Sequence, residues 1–248
     1  GNHTGWTVDV GAGDFDNDGD PDIYVASDYG RDRVYMNNGN GTFTDISDEA
    51  IGKDTKKGMN AEIADYDNDG WLDVYVTNIT DEYMKECNML WHNDGIWTKE
   101  GKVSKGTFTD LSKETGTCNT LWGWGAKFAD FDNDGNKDLF ISSGIVKRPV
   151  DMDYVRFVSD LKLKGMDRTD AYDEPAIKSM PDGASHPFLF KGDGNLKFAE
   201  ALDVVAQLSP ARVLFRAQCR GFVPHCPEFD TVRLRVTVLS AQFAHGGL

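Results

Sequence analysis

The sequence predicts an all-β fold built from β-propeller blades, about three of which are legible, with a short helical insertion. Three observations support this prediction. An acidic segment of nine residues occurs three times, a strand-forming run follows each copy, and a hairpin motif recurs after each run. The blades would occupy residues 1–200 of the 248, with the insertion at 145–186.

Each acidic segment has the pattern Asp-x-Asp-x-Asp-Gly-x-x-Asp and begins at Asp14, Asp65 or Asp130. Small and apolar residues precede each segment, which suits a crowded inner strand where neighbouring backbones approach closely. β-branched and aromatic residues follow it, and such runs form strands. Each copy therefore predicts two strands joined by an acidic loop.

A second motif completes the repeating unit. A strand, a Gly/Asn turn and another strand recur at residues 32–45, 88–110 and 186–200, and the second copy is interrupted by an insertion. Added to the two strands around the acidic loop, this hairpin gives four antiparallel strands, which is the content of one propeller blade.

The long insertion of the third unit has a helical pattern. Residues 153–166 begin with Asp at a plausible N-cap and place Val155, Val158 and Leu161 at helical spacing. We expect a helix packed over one end of the blades, and a ligand-contacting lid is the alternative.

Residues 201–248 break the pattern, because they contain no Lys, no Asn and no acidic loop. This tail is a different domain, an unstructured segment or the product of a reading-frame error downstream of Glu200. We favour the frame error as a hypothesis.

The acidic loops have the chemistry of a calcium site. Ca²⁺ takes six to eight oxygen ligands, and carboxylates at loop positions 1, 3, 5 and 9 with a carbonyl at position 7 would supply them while Gly at position 6 permits the tight turn. We predict about three Ca²⁺ ions, one for each loop. The predicted ligands are Asp14, Asp16, Asp18, Asp20 and Asp22; Asp65, Asp67, Asp69, Trp71 and Asp73; and Asp130, Asp132, Asp134, Asn136 and Asp138. Of these, Asp20, Trp71 and Asn136 would contribute main-chain carbonyls.

Two alternatives to a propeller calcium loop were weighed. Asp, Asn and Gly also form turns without a metal, but three matches in register and four crowded carboxylates favour a bound cation. An EF-hand needs a Glu at loop position 12, where this chain has Val25, Val76 or Ile141 inside a predicted strand. The EF-hand is therefore excluded.

Composition limits the partners. A net charge of −15 would repel nucleic acid and anionic membranes, and no long apolar run predicts membrane insertion. Four cysteines are too few for a disulfide scaffold, although Cys87 and Cys118 flank the second hairpin and could pair in an exported protein. Their bonding is left open.

Other candidate residues are aromatic. Trp6, Trp122 and Trp124 lie beside predicted inner strands, where we expect them to fill the space between blades, and a sugar-stacking platform is the alternative. Trp71 is expected to be exposed. No nucleophile elbow, zinc-protease helix or phosphate-binding loop is present, so no catalytic residue is predicted and the protein is not expected to be an enzyme.

The acidic loops and the Asn40-Gly-Thr-Phe-Thr-Asp45 block resemble the FG-GAP or VCBS-type repeats of integrin α-subunit propellers and of many secreted bacterial proteins. The Trp122-Gly-Trp-Gly-Ala-Lys-Phe128 run and the insertion are most similar to bacterial relatives of cartilage acidic protein, which often carry an ASPIC/UnbV segment. That segment is not recognisable here. The resemblance implies a ring of about seven blades, calcium in the loops, and a secreted, periplasmic or cell-surface location.

These observations predict an extracellular calcium-binding propeller module for adhesion or for binding a protein or glycan, with structural Ca²⁺. The alternatives are a carbohydrate-active propeller, either a polysaccharide lyase or a lectin, and a spacer within a larger surface protein.

Overall fold

Three four-stranded antiparallel sheets, each with its strands in sequence order, make up the blades of this all-β chain. The computed structural model describes residues 5–53, 57–81, 84–100, 103–148, 159 and 180–201. The helix expected over 153–166 falls outside these residues except at 159, and so does the tail beyond 201.

Blade 1 consists of β1 Thr7–Gly13, β2 Asp22–Ser27, β3 Arg33–Asn37 and β4 Phe43–Asp45, followed by the short helix α1 Ser47–Ala50. The strands from the start of blade 2 to its end are β5 Asn60–Ala64, β6 Asp73–Thr77, β7 Thr80–Asp81, β8 Met84–Lys85, β9 Met89–Asn93, β10 Thr98–Glu100, β11 Val103–Lys105 and β12 Phe108–Asp110. Its blade sheet is β5-β6-β9-β12, while β7-β8 and β10-β11 form two small ribbons.

Blade 3 consists of β13 Gly123–Ala129, β14 Asp138–Ser143, β17 Phe188–Gly192 and β18 Phe198–Glu200. Between its second and third blade strands lies a ribbon of β15 Ile145–Lys147 and β16 Asp182–Gly183. The predicted order of strand, acidic loop, strand and hairpin is thus confirmed in all three blades.

The register between the second and third blade strands repeats residue by residue. Ile23 pairs with Tyr35, Val74 with Trp91, and Leu139 with Phe190. Residues at the same repeat position therefore occupy the same place in each blade, so blades can be compared position by position.

Aromatic side chains at loop position 2 fill the space between blades. Phe15 is fully buried and packs edge-on against Phe108 of blade 2, with ring centroids 5.5 Å apart. Tyr66 is also buried, and its ring stacks against Phe128 and Phe198 of blade 3. The equivalent Phe131 is 49% exposed, and no fourth blade follows it among the described residues.

The first strands of neighbouring blades are linked by a side-chain relay. Asp9 Oδ2 accepts the Asn60 side-chain N–H at 2.8 Å and the Ala61 backbone N–H at 3.0 Å. Asn60 Oδ1 in turn accepts the backbone N–H of Ala126 at 2.9 Å. One side chain from blade 1 and one from blade 2 therefore each satisfy an edge N–H of the following blade.

The same strands approach closely at Gly11, where a side chain would have to displace the end of the Ile63 side chain. A Cβ on Gly11 would lie 2.6 Å from the Ile63 side chain of blade 2, closer than a van der Waals contact permits. The sequence-based expectation that these strands are crowded is confirmed at this position.

The expectation that the tryptophans fill the space between blades is wrong. Trp6 is 72% exposed and Trp124 41% exposed, while Trp122 is half-buried beside Trp124, with ring centroids 6.3 Å apart. Phe15 with Phe108 and Tyr66 with Phe128 occupy the spaces between the blades, while Trp6 packs edge-on against Tyr29 of its own blade.

Cys87 and Cys118 form a disulfide with a Cα–Cα separation of 4.7 Å, which resolves the open question of their bonding. The bond ties the segment before β9 to the segment after β12, next to the Asn88 N–H that donates to the Cys118 carbonyl. Within the described residues, no helix is long and apolar enough to cross a bilayer.

Candidate metal centres

The three acidic loops share one backbone conformation. Besides the expected glycine at position 6, the asparagine at position 4 of each loop has a positive φ: Asn17, Asn68 and Asn133 lie between 55° and 61°. Asparagine tolerates this left-handed region better than most residues, which explains its repetition. No role was predicted for this asparagine from the sequence.

The carboxylate at loop position 1 closes each turn. Asp14 accepts the backbone N–H groups of Asp18 at 3.0 Å and Gly19 at 2.9 Å. Asp65 and Asp130 accept the equivalent pairs at 3.0 Å each. The loop thus holds its own carboxylates together by backbone hydrogen bonds.

The carboxylate at loop position 9 ties the loop to the sheet. Asp73 is fully buried and accepts the Tyr66 N–H from the loop at 3.1 Å and the Asn93 N–H from the third blade strand at 2.8 Å. Asp22 and Asp138 make the same two bonds in blades 1 and 3. This residue therefore couples the geometry of the acidic loop to strand pairing.

The structure brings together three of the four predicted carboxylates in each loop, at positions 1, 3 and 5 in blade 1 and at positions 1, 3 and 9 in blades 2 and 3. Each trio has one oxygen per residue within 4.8 Å of the others. The trios are Asp14, Asp16 and Asp18; Asp65, Asp67 and Asp73; and Asp130, Asp132 and Asp138. Such clusters could hold a divalent cation.

Burial disfavours the charged form of the most deeply buried carboxylates. It raises the pKa of Asp22 to about 7 and that of Asp73 to about 6, against the backbone N–H groups that favour the charged form. Burial also raises the pKa of Asp67, and its Oδ1 is buried without a hydrogen-bond partner. A buried acceptor with a charge to neutralise fits a cation ligand.

A basic side chain reaches two of the loops from outside. Lys99 of β10 lies 2.9 Å from Asp18 Oδ2, and this hydrogen bond lowers the pKa of Asp18. Lys191 of β17 contacts Asp132 and lies 3.1 Å from Asp134 Oδ2. The backbone N–H of Asn136, followed by Lys191, lowers the pKa of Asp134.

A histidine for which no role was predicted from the sequence lies beside the acidic loop of blade 2. His92 of β9 has its Nδ1 3.3 Å from Asp73 Oδ1 and 3.6 Å from Asp67 Oδ2. Its repeat equivalents are Met36 in blade 1 and Lys191 in blade 3. Aligning the hairpins to the loops would have revealed this position, because it precedes the Asn or Gly that donates to position 9.

Residues at loop position 7 donate their backbone N–H to the carboxylate at position 5. The distances are 3.0 Å from Asp20, 2.8 Å from Trp71 and 2.9 Å from Asn136. Their carbonyls as ligands stay a prediction. The expectation that Trp71 is exposed is wrong, because its indole is half-buried over Gly95, where a Cβ would lie 2.7 Å from Nε1.

Comparison with protein families agrees with this geometry. The family model of the FG-GAP-like repeat matches residues 3–76. The match covers blade 1 and the first two strands of blade 2, including two of the acidic loops, and the structural repeat carries the same pattern into blade 3. A search of curated proteins found no significant match.

Proposed function

We propose that the chain is an extracellular, non-enzymatic β-propeller module in which structural Ca²⁺ occupies the three acidic loops and a protein or glycan partner binds the blades. The observation that supports it is the repeated convergence of carboxylates on one side of a glycine turn. Calcium accepts such all-oxygen sets with flexible geometry.

Calcium would stabilise the join between loop and sheet. The position-9 aspartate fixes the third blade strand, so an ion on its carboxylate would hold strand, loop and hairpin as one body. The ion would also offset the cost of burying charged carboxylates, which raises the pKa of Asp22 and Asp73, and the smaller repulsion from neighbouring aspartates.

Export is supported by two independent features. The Cys87–Cys118 disulfide is of the kind that persists in oxidising compartments. Extracellular calcium modules bind at about 10⁻⁴ to 10⁻³ M, so the loops would fill outside the cell and stay largely unfilled in the cytosol. We therefore propose a secreted, periplasmic or cell-surface location.

The family relationship is proposed at two levels. The FG-GAP-like match supports an adhesion or binding role, since the carboxylates of the loops would be engaged by metal and unsuited to acid–base catalysis. A relationship to bacterial relatives of cartilage acidic protein is inferred from the Trp122–Phe128 run and the order of blocks.

A lectin-type role is a second candidate, favoured by the tryptophan pair of blade 3. Trp122 borders a shallow cavity of about 130 Å³ that is also lined by Arg148, Asp182 and Ser185. Its indole Nε1 is buried without a hydrogen-bond partner, and Trp124 is exposed beside it. Stacking on tryptophan with nearby polar groups is a common way to bind sugars.

Calcium titration of the full, metal-stripped chain tests the main proposal. We expect calorimetry to show binding of about three ions and a melting temperature that Ca²⁺ raises more than Mg²⁺. Asp14→Asn, Asp65→Asn and Asp130→Asn should each remove one ion. Glu49→Gln, an exposed carboxylate outside the loops, should remove none. A folded chain that binds no calcium would overturn the proposal.

Polysaccharide binding tests the second candidate. Trp124→Ala should weaken retention on a bound polysaccharide, whereas Trp6→Ala, which removes a more exposed tryptophan from blade 1, should not. Equal loss in both variants, or no retention of the unaltered chain on any polysaccharide tried, would argue against this role.

A further inference from the structure

The loop of blade 2 differs from the other two because an imidazole lies among its carboxylates. Asp67, Asp69 and His92 place one ligand atom each within 4.8 Å of one another, and Asp67 also belongs to the trio with Asp65 and Asp73. The histidine thus adjoins the loop that was predicted to bind through oxygen alone.

Two of the facing atoms, Asp67 Oδ1 and His92 Nδ1, are buried without a hydrogen bond, although the imidazole is ion-paired with Asp67 and Asp73. Asp67 has a side chain 9% exposed, and its Oδ1 accepts no hydrogen bond. His92 Nδ1 is buried and makes no hydrogen bond of good geometry, although it lies 3.3 Å from Asp73 Oδ1. Asp73 already receives the Tyr66 and Asn93 N–H groups on its two oxygens.

These separations suit two ligands of one ion. Ligands about 2.1 Å from a tetrahedral ion lie about 3.4 Å apart. The observed N···O distances of 3.3 Å and 3.6 Å bracket that value. An imidazole nitrogen facing carboxylates is favourable only with a proton or a metal cation between them, and a metal ion would replace that proton.

The types of ligand determine which cation the site favours. Imidazole suits zinc, copper, iron and nickel, whereas all-oxygen sets suit calcium, magnesium and manganese. At the equivalent position blade 1 has Met36, a weak ligand, and blade 3 has Lys191, whose ammonium already contacts Asp132 and Asp134. The imidazole therefore distinguishes blade 2 from its neighbours.

We propose that the blade-2 loop is a mixed carboxylate–imidazole site for a divalent first-row transition-metal ion, held by His92, Asp67 and Asp73 with a carboxylate from Asp65 or Asp69 as the fourth ligand. The inference rests on the proposed function in one respect, namely that the acidic loops bind cations. The inference differs from the proposed function because it assigns a different metal to the blade-2 loop. The loops of blades 1 and 3 keep their all-oxygen calcium chemistry.

Cobalt titration of the full, metal-stripped chain in excess Ca²⁺ tests this assignment, with visible d–d absorption and calorimetry as readouts. We expect one calcium-resistant Co²⁺ site that His92→Met weakens by at least the roughly 10- to 100-fold that loss of an outer-shell partner causes. His186→Met, an exposed histidine outside the loops, should leave it unchanged. Other histidines and thiols also bind Co²⁺, so only the His92-dependent signal counts.

A variant that gains a site keeps the test informative if His92→Met fails to fold. Lys191→His places an imidazole at the equivalent position of blade 3 and should create a second Co²⁺ site, while Lys191→Met should not. Absence of His92-dependent Co²⁺ binding together with no gain in Lys191→His overturns the inference, even when Ca²⁺ fills its loops. Conversely, His92-dependent Co²⁺ binding without any Ca²⁺ binding supports the inference and contradicts the proposed calcium function.

Discussion

Asp22 and Asp73 show how single residues link the loops to stability. Each is buried at the end of a loop and accepts backbone N–H groups from two different elements. Burial of a carboxylate is costly in its charged form, and here the cost exceeds what the two N–H groups return, since both pKa values are raised.

This shift predicts a pH dependence for the metal-stripped chain. An unfolded aspartate has a pKa of about 3.9, so the stability that Asp22 and Asp73 contribute is fully present below that pH. It is lost as pH rises through the folded pKa, which is about 7 for Asp22 and about 6 for Asp73. The lowered pKa values of Asp18 and Asp134 act in the opposite direction, but their contribution is complete above about pH 4.

We therefore expect the melting temperature gained from Ca²⁺ to grow between pH 5 and pH 8, because Ca²⁺ then compensates the charge that burial disfavours. Thermal unfolding of stripped and Ca²⁺-loaded chains at each pH measures this gain. A gain that is constant or falls with pH would contradict the prediction.

At the scale of elements, the blades are held in sequence by polar contacts as well as by apolar packing. Asn60 belongs to both halves of the relay, because it donates to Asp9 and accepts from Ala126. It is the one side chain among these contacts that touches all three blades.

Replacing Asn60 with Leu is expected to leave the Ala126 N–H without its acceptor and to cost about 1–3 kcal/mol of unfolding free energy. Urea unfolding measures this cost, and Asn195→Ala, in an exposed hairpin turn, serves as the control. An Asn60→Leu chain as stable as the control would show that the relay contributes nothing.

The disulfide acts on a second element, the interrupted hairpin of blade 2. Cys87 and Cys118 are 31 residues apart, and closing a loop of that length removes roughly 3–4 kcal/mol of chain entropy from the unfolded state in the chain-entropy model. Cys87→Ser with Cys118→Ser should lower the unfolding free energy by up to this amount. The effect of reductant on the melting temperature should vanish in that double variant.

Structural features that depend on short sequence patterns could be predicted, whereas contacts between distant residues could not. The strands and loops were predictable because β-branched runs and Gly turns repeat three times in register. The exposure of Trp6 and Trp124 was not predictable, because packing between blades decides which aromatic side chains are buried. The approach of His92 to Asp67 and the pairing of Cys87 with Cys118 join residues far apart in the chain, which spacing alone does not determine.

For the whole molecule, net charge governs what happens when the loops lose their cations. The formal charge is −15, and much of the acidity lies in the three loops. Self-repulsion of this size destabilises a compact state and is screened by salt.

Sodium chloride is therefore expected to raise the melting temperature of the stripped chain more than that of the Ca²⁺-loaded chain. Differential scanning calorimetry across a range of ionic strength tests this difference. Equal salt slopes in the two states would mean that the loop charges do not control stability.

The relay gives the blades a direction, from Asp9 to blade 2 and from Asn60 to blade 3. At the same position blade 3 has Gly125, which offers no side-chain acceptor, while the Val10 N–H of blade 1 bonds to its neighbour Asp9 at 2.9 Å. The modules are consequently not equivalent for growth by gene duplication. In a tandem duplication of blade 2, Asn60 of the first copy could accept the Ala61 N–H of the second copy. In a tandem duplication of blade 3, Gly125 of the first copy has no side chain to accept the Ala126 N–H of the second.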